Sequence, residues 1–253
     1  SLRIVILLYF YGKNFMNLGD AVVLVTGANR GIGKALVEAL LKNGAQKIYA
    51  AARNIQHLPN FGDNRVVPII LDITNQAQVQ QAAIQANDVN ILINNAGILS
   101  FGGVVTGELR YLQHDMQVNY FGTLDVVRHF APVVVKNGGG AIANVISVVG
   151  LASMPSIGGY SASKAALFSA TQAMRSELKA KNIVVHGIYP GPVDTEMTKN
   201  FPMKKTTPMT VAENIVAGII AGTEDIFPDP VSISISKLWA TNPKGVERQF
   251  SGM

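Results

Sequence analysis

Tyr160 and Lys164 stand four residues apart in Tyr160-Ser161-Ala162-Ser163-Lys164, so on a helix they share one face, a turn apart. A phenol titrates near pH 10, and a lysine carries a fixed positive charge at neutral pH. A cation within about 4–6 Å favours the phenolate and lowers such a pKa by about 1–3 units. The pair is expected to bring Tyr160 towards the range where a proton donor and acceptor works near neutral pH. A solvated tyrosine and lysine at helical spacing is the plainer alternative, and the pair alone does not decide between them.

The elements that must position this pair can be read from the apolar pattern. Ala21-Val22-Val23-Leu24-Val25 is a short β-branched run ending in Thr26-Gly27, as in a strand buried on both faces. Gly27-Ala28-Asn29-Arg30-Gly31-Ile32-Gly33 follows, and Lys34 to Leu41 has helical periodicity. The glycines are spaced GxxxGxG rather than GxGxxG, but the physical need is the same. A dinucleotide requires a tight turn, close backbone approach to its pyrophosphate, and a helix N-terminus aimed at anionic oxygens.

Lys47 to Arg53 reads as the second strand. About 20 residues past the glycines, such units place a carboxylate against the ribose 2′-hydroxyl. Ala52 holds that slot here and Arg53 follows. With no carboxylate to repel a phosphate and a guanidinium to pair with it, the slot predicts NADP(H) preferred over NAD(H). Arg30 offers a second positive charge, while an Arg53 pointing into solvent is the alternative. Val66 to Ile73 reads as a third strand, whose Asp72 is either an acceptor for the adenine amino group or a solvated loop carboxylate.

A polar-faced helix over 74–86 precedes a fourth strand from Asn90 to Gly97 that ends in two amides, Asn94-Asn95. Glu108 to Lys136 reads as largely helical with Asn119 in its middle, unfavourable by propensity. That asparagine is either a satisfied core amide or an active-site group. Ala141 to Ile146 forms a fifth strand and delivers Ser147 at its C-terminal end, where open α/β sheets bind ligands. A helix from Tyr160 to about Lys181 and a sixth strand from Ile183 to Tyr189 follow, ending in Pro190-Gly191-Pro192. Strands alternating with helices predict an α/β fold: a single-domain doubly wound parallel sheet (Rossmann fold) with helices on both faces.

Composition excludes several other classes. The 253 residues are 48% hydrophobic and 15% charged, ample for a large core. The absence of cysteine excludes disulfide and cysteine–zinc frameworks and fits a cytoplasmic setting. A net charge of +5 without a long basic run speaks against nucleic acid and suits an anionic small molecule. His57, His114, His129 and His186 share no metal-ligand spacing, so no metal is expected. Ile4 to Tyr11 is apolar but shorter than the ~20 residues of a membrane helix, and no membrane partner is expected. Residues 1–15 read as an upstream extension outside the fold, and 16–253 as one domain.

Taken together, the segments Thr26 to Gly33, Asn94-Asn95-Ala96-Gly97, Ser147, Tyr160 to Lys164 and Pro190-Gly191-Pro192-Val193-Asp194-Thr195 stand in a telling order. That order resembles the short-chain dehydrogenase/reductase family from about residue 18 to 225. The resemblance implies that Tyr160 is the acid/base acting on the substrate oxygen, and that Ser147 hydrogen-bonds the same oxygen. It implies that Lys164 lowers the pKa of Tyr160 and holds the nicotinamide ribose. Asn119 would hold a water linking Lys164 to solvent. Gly27, Asn29, Arg30, Gly31, Ile32 and Gly33 would cradle the pyrophosphate side of the cofactor. Arg53, Asp72 and Ile73 would line its adenosine end. Asn94, Ala96, Gly97, Pro190, Gly191, Val193 and Thr195 would complete the site, with Asn94 packing it and Thr195 on the carboxamide.

The implied function is hydride transfer between NADP(H) and a small or medium apolar carbonyl or alcohol. The loop from Pro192 to about Thr210 carries Met197, Met203, Met209 and Phe201. It reads as an adaptable apolar lid or as an ordinary surface connection. A non-catalytic NADP sensor on the same fold is the competing reading, although a sensor has no need of Asn119, Ser147, Tyr160 and Lys164 together. The ending departs from the family's common one. Asp225 to Pro230 and a helix-like stretch around 231–240 replace an Asp-Gly-Gly-like segment. A homodimer through 108–136 and 160–181, or a homotetramer, is the expected assembly.

Overall fold

Seven parallel strands form one sheet in the order β3-β2-β1-β4-β5-β6-β7. They are β1 (Val22–Thr26), β2 (Lys47–Ala52), β3 (Val66–Ile70), β4 (Ile91–Asn94), β5 (Gly140–Val145), β6 (Ile183–Ile188) and β7 (Asp225–Ile226). The computed structural model describes residues 16–253, and the reading of 1–15 as an extension lies outside them. The order reverses between β1 and β4, and the two halves of the sheet are wound in opposite senses. The crevice at the carboxyl ends of β1 and β4 is where such sheets take a ligand.

Alternation along the strands explains the two faces. Val23, Val25, Ile48, Ile91, Ile93 and Ala143 pack on one side against α1 (Gly31–Lys42) and α6 (Pro208–Ile220). Leu24, Tyr49, Leu92 and Ile142 pack on the other against α2 (Gln76–Gln85), α4 (Thr123–Lys136) and α5 (Gly158–Lys179). A third apolar cluster lies beyond the carboxyl edge. It joins Ile146, Val149 and Tyr189 to Ile235 and Val246 of α7 (Pro230–Thr241) and α8 (Pro243–Ser251), with Tyr160 and Trp239 packed against it.

The expected helix over 108–136 divides. α3 (Leu109–Met116) runs into a π-helical segment, Gln117–Gly122, before α4 resumes. Gly122 permits this wide turn to pack, since a Cβ there would sit 3.0 Å from Ile73. Two helices begin elsewhere than expected for reasons of capping and packing. The Asn75 side chain caps α2 by accepting from Gln78 N–H. α5 begins at Gly158, where a side chain would strike Val104. β7 is only two residues long, and Asp229 caps α7 in a reciprocal pair with Ser232.

Candidate active site

The β1 side of the crevice is shaped by backbone. Gly27 (φ 66°) and Gly31 (φ 54°) occupy the left-handed region, which glycine enters without penalty. A Cβ on Gly33 would overlap the Gly27 carbonyl oxygen and approach Asn95 Nδ2 to 2.5 Å. Arg30 caps α1 without a side-chain hydrogen bond, and no acidic residue stands in the first turn. The leading N–H groups of this helix therefore have no side-chain partner at the cap, the arrangement that suits a pyrophosphate. Asn29 and Ile32 are half-buried, Ile32 packing on the sheet, while Arg30 is exposed.

Two motif residues to which the sequence assigned no role fasten this turn. Thr26 Oγ1 accepts from Asn95 N–H and Ala96 N–H, both at 3.0 Å. Asn95 Nδ2 donates to the carbonyls of Thr26 (2.9 Å) and Gly27 (3.2 Å). Asn94, expected to pack the cofactor site, instead donates to Asn144 Oδ1 at 2.8 Å within the core. Strand alternation carries the signal, since Asn94 shares the face of Leu92. Ala96 lies 3.0 Å from where a Gly27 Cβ would be, and the Thr195 methyl 3.1 Å from a Gly31 Cβ.

At the end of β2, Ala52 is buried and Arg53 exposed. Burial pushes the Asp72 carboxyl up, but hydrogen bonds from the Thr74 hydroxyl and N–H, with the charge of Arg53, hold it below the usual carboxylate range. Ile73 is a core residue under Gly122.

The opposite wall is built from polar side chains. Lys164 is buried, its Nζ donating to the Val145 carbonyl at 2.8 Å and lying 5.6 Å from the centre of the Tyr160 ring. Tyr160 is half-buried, with the Ser147 hydroxyl near its phenol. Burial pushes the phenol up to about 12, the neighbouring Ser147 hydroxyl opposes this, and the charge of Asp115 raises it further. Burial brings Lys164 down to about 8, with Asp115 opposing. The expected lowering of the Tyr160 pKa is thus reversed, because burial and the charge of Asp115 together outweigh the lowering from the Ser147 hydroxyl.

Ser147 has φ 113°, a strained conformation for a residue with a side chain. Its hydroxyl donates to the Pro190 carbonyl at 3.3 Å and accepts from Val149 N–H at 3.4 Å. Asn119 lies inside the π segment, a feature frequent at functional sites. Its Oδ1 accepts from Ile98 N–H (2.8 Å), and its Nδ2 donates to Ile98 O and Ser163 Oγ, both at 2.9 Å. Asn119 therefore staples the loop after β4 to α5. It holds Gly97 so that a Cβ there would be 3.0 Å from the amide and 3.5 Å from Lys164 Nζ.

The profile of the short chain dehydrogenases matches residues 21–206. The chain belongs to the short-chain dehydrogenase family. A 3-oxoacyl-[acyl-carrier-protein] reductase of Thermotoga maritima is 31% identical over 198 residues, 75% of this chain and 80% of that protein. The crystal structure of a short chain dehydrogenase from Burkholderia cenocepacia in complex with NADP superposes with a TM-score of 0.88 at 37% identity. It covers 93% of this chain and 99% of that one. A short chain dehydrogenase/reductase from Burkholderia phymatum in complex with NAD gives 0.79 at 25%, covering 92% and 96%.

In this short-chain dehydrogenase the segment after β6 is pinned at both ends. Asp194 N–H donates to Thr206 O (2.9 Å) and Thr206 N–H to Pro192 O (3.0 Å), and Val193 between them is buried. Between these clamps Phe201 meets Phe101 with ring centres 5.5 Å apart, while Met197 and Met203 are exposed. Met209 belongs to α6 and packs on the sheet instead. Gly191 N–H donates to Asp229 Oδ2 at 2.8 Å, which ties the loop after β6 to the cap of α7. A groove of about 580 Å³ runs between Leu151–Ser153 and Trp239, Pro243, Lys244 and Glu247. Among the described residues no helix is long and apolar enough to cross a membrane.

Proposed function

We propose that this short-chain dehydrogenase interconverts a small or medium apolar carbonyl compound and its alcohol, prefers NADP(H) to NAD(H), and uses Tyr160 as its acid/base. The observation that carries this reading is the meeting of the Ser147 and Tyr160 hydroxyls beside the buried Lys164. The cofactor, when bound, supplies or accepts the hydride. Tyr160 holds the proton for the substrate oxygen, and Ser147 offers that oxygen a second hydrogen bond. Together they stabilise the charge that develops there. Lys164 at about 8 is chiefly an ammonium at neutral pH. In that form it holds ribose hydroxyls and opposes the desolvation of the phenol. Asn119 keeps the loop of Gly97 against this lysine.

Preference for NADP(H) is supported by Ala52 and the exposed Arg53, with Arg30 across the turn, and by the NADP complex of the Burkholderia cenocepacia relative. Phe201 meets Phe101 and packs with Tyr160 on one apolar cluster, which favours an apolar substrate. Leu109, Tyr111, Phe121 and Val135, exposed along α3 to α4, support a homodimer or homotetramer through these helices, which light scattering tests. Incubation with NADPH and a panel of apolar aldehydes and ketones is expected to consume NADPH. No consumption across the panel overturns the activity, and equal kcat/KM for NADPH and NADH removes the cofactor preference.

A further inference from the structure

Asp115 is a buried carboxylate at this site to which the chemistry above gives no role. It lies in the last turn of α3, four residues before Asn119, fully buried. Its Oδ1 accepts from Ser100 N–H (3.1 Å) and Ser100 Oγ (2.9 Å). Its Oδ2 is buried without a hydrogen-bond partner. That oxygen faces the first turn of α5, where a Cβ on Gly159 would stand 3.2 Å from it. A buried polar atom left unpaired costs about 1–3 kcal/mol, and more for a charged group. The Ser100 bonds account for Oδ1 and leave Oδ2 unexplained.

We infer that Asp115 is a positioning residue of this reaction: seated between Ser100 and the start of α5, it is the fixed anion that keeps the buried Lys164 charged and ready for the cofactor. The inference rests on the role proposed for Lys164. Burial pushes the Asp115 carboxyl up from the usual carboxylate range. The two bonds from Ser100 oppose this, as do the charges of His114 on its own helix and Lys164 on α5. Tyr160 on α5 is the other titratable group beside it. Ser100 is uncharged. Lys164 is the cation that burial places at risk of losing its proton, and Asp115 opposes that loss. With Asn119 four residues on, one helical stretch grips the loop after β4 twice, at Ile98 and at Ser100. Both grips lie beside the helix that carries Tyr160 and Lys164.

The test is NADPH affinity, read by fluorescence from about pH 7 to about pH 9.5, where the nearby arginines stay charged. In the unmodified protein affinity falls as Lys164 loses its proton. Asp115→Asn keeps the shape and an acceptor for Ser100 but removes the charge. The midpoint is expected to move down by about one pH unit. Asp115→Ser, smaller and also neutral, is the second variant and is expected to move it equally. Ser100→Ala loosens the grip and keeps the charge, so its midpoint stays while carbonyl turnover falls about two- to fivefold. A midpoint unchanged in the neutral variants overturns the inference, and so does one that moves as far in Ser100→Ala. Lys164→Met should remove the pH dependence. If the dependence survives there, the role proposed for Lys164 falls and this inference with it.

Discussion

On the β1–β2 side of the crevice, room for a ligand exists because side chains are left out. Gly27, Gly31 and Gly33 let the turn close on Asn95 and Thr195, and the first turn of α1 carries no capping side chain. On the β5–α5 side, the space is filled with groups that a protein interior disfavours. Lys164 and Asp115 are buried there, Ser147 has φ 113°, and six residues around Asn119 are wound as a π-helix. The first wall is a shape that must stay empty, and any added atom harms fold and binding together. The second wall stores unfavourable free energy that the surrounding core over-determines. Its residues are expected to be replaceable by ones the fold prefers, at the expense of the proposed activity.

The largest expected effect belongs to the second wall. Tyr160→Phe removes only a hydroxyl and should lower turnover about a thousandfold while NADPH affinity and melting temperature hold. Retained turnover would remove the acid/base assignment and with it the contrast between the walls. Gly33→Ala should act oppositely, because the new methyl meets the Gly27 carbonyl. Overpacking of this kind costs about 1–3 kcal/mol, and calorimetry should show a lower Tm alongside lost NADPH binding. An alanine protein that still binds NADPH would show that the turn has slack.

Lys164→Met sharpens the difference by separating stability from function. Burial lowers the folded-state pKa of Lys164 from 10.5 to about 8, so the unfolded chain binds the extra proton between those values. Stability is therefore expected to rise as pH climbs from about 8 towards 10.5. Burying the ammonium costs up to about 3 kcal/mol below that window, less the hydrogen bond to Val145. The methionine protein should bind NADPH poorly, melt higher at pH 7, and lose the rise in Tm above pH 8. A lower Tm at pH 7 would mean that the Val145 contact outweighs desolvation. The smallest effect is at the rim of the first wall. Arg53→Ala should weaken NADPH about ten- to a hundredfold, the scale of one charge-assisted contact, and leave NADH nearly unchanged.

These predictions separate what could be read along the chain from what could not. The β1, β4 and β5 runs are apolar on both faces, so strand, sheet type and the carboxyl-edge position of Ser147 follow from pattern alone. Glycine spacing placed the turn for the same reason: missing side chains are visible in a sequence. Burial is not. The sequence Leu112-Gln113-His114-Asp115 reads as a polar helical surface, and only the approach of Gly159 and Ser100 encloses the carboxylate. The direction of the Tyr160 shift failed for this reason, since spacing gives the distance to Lys164 but not the water both groups lose. Asn94 and Asn95 are chemically identical neighbours, distinguished only by which one the strand turns into the core. The π segment depends on Ile98, Ser163 and Ile73, all remote in sequence.

The widened turn at Gln117–Gly122 also bears on how the protein can change by descent. A π bulge takes up an extra residue within an otherwise α-helical run, so α3 and α4 keep their faces on the core around it. Loss of one codon at 117 or 118 is expected to restore an ordinary α-helix and leave Val126, Phe130 and Val134 packed as they are. Asn119 would then no longer present its amide to Ile98 and Ser163. Such a deletion is expected to leave the melting temperature nearly unchanged and to abolish carbonyl turnover, an outcome that no substitution scan would sample.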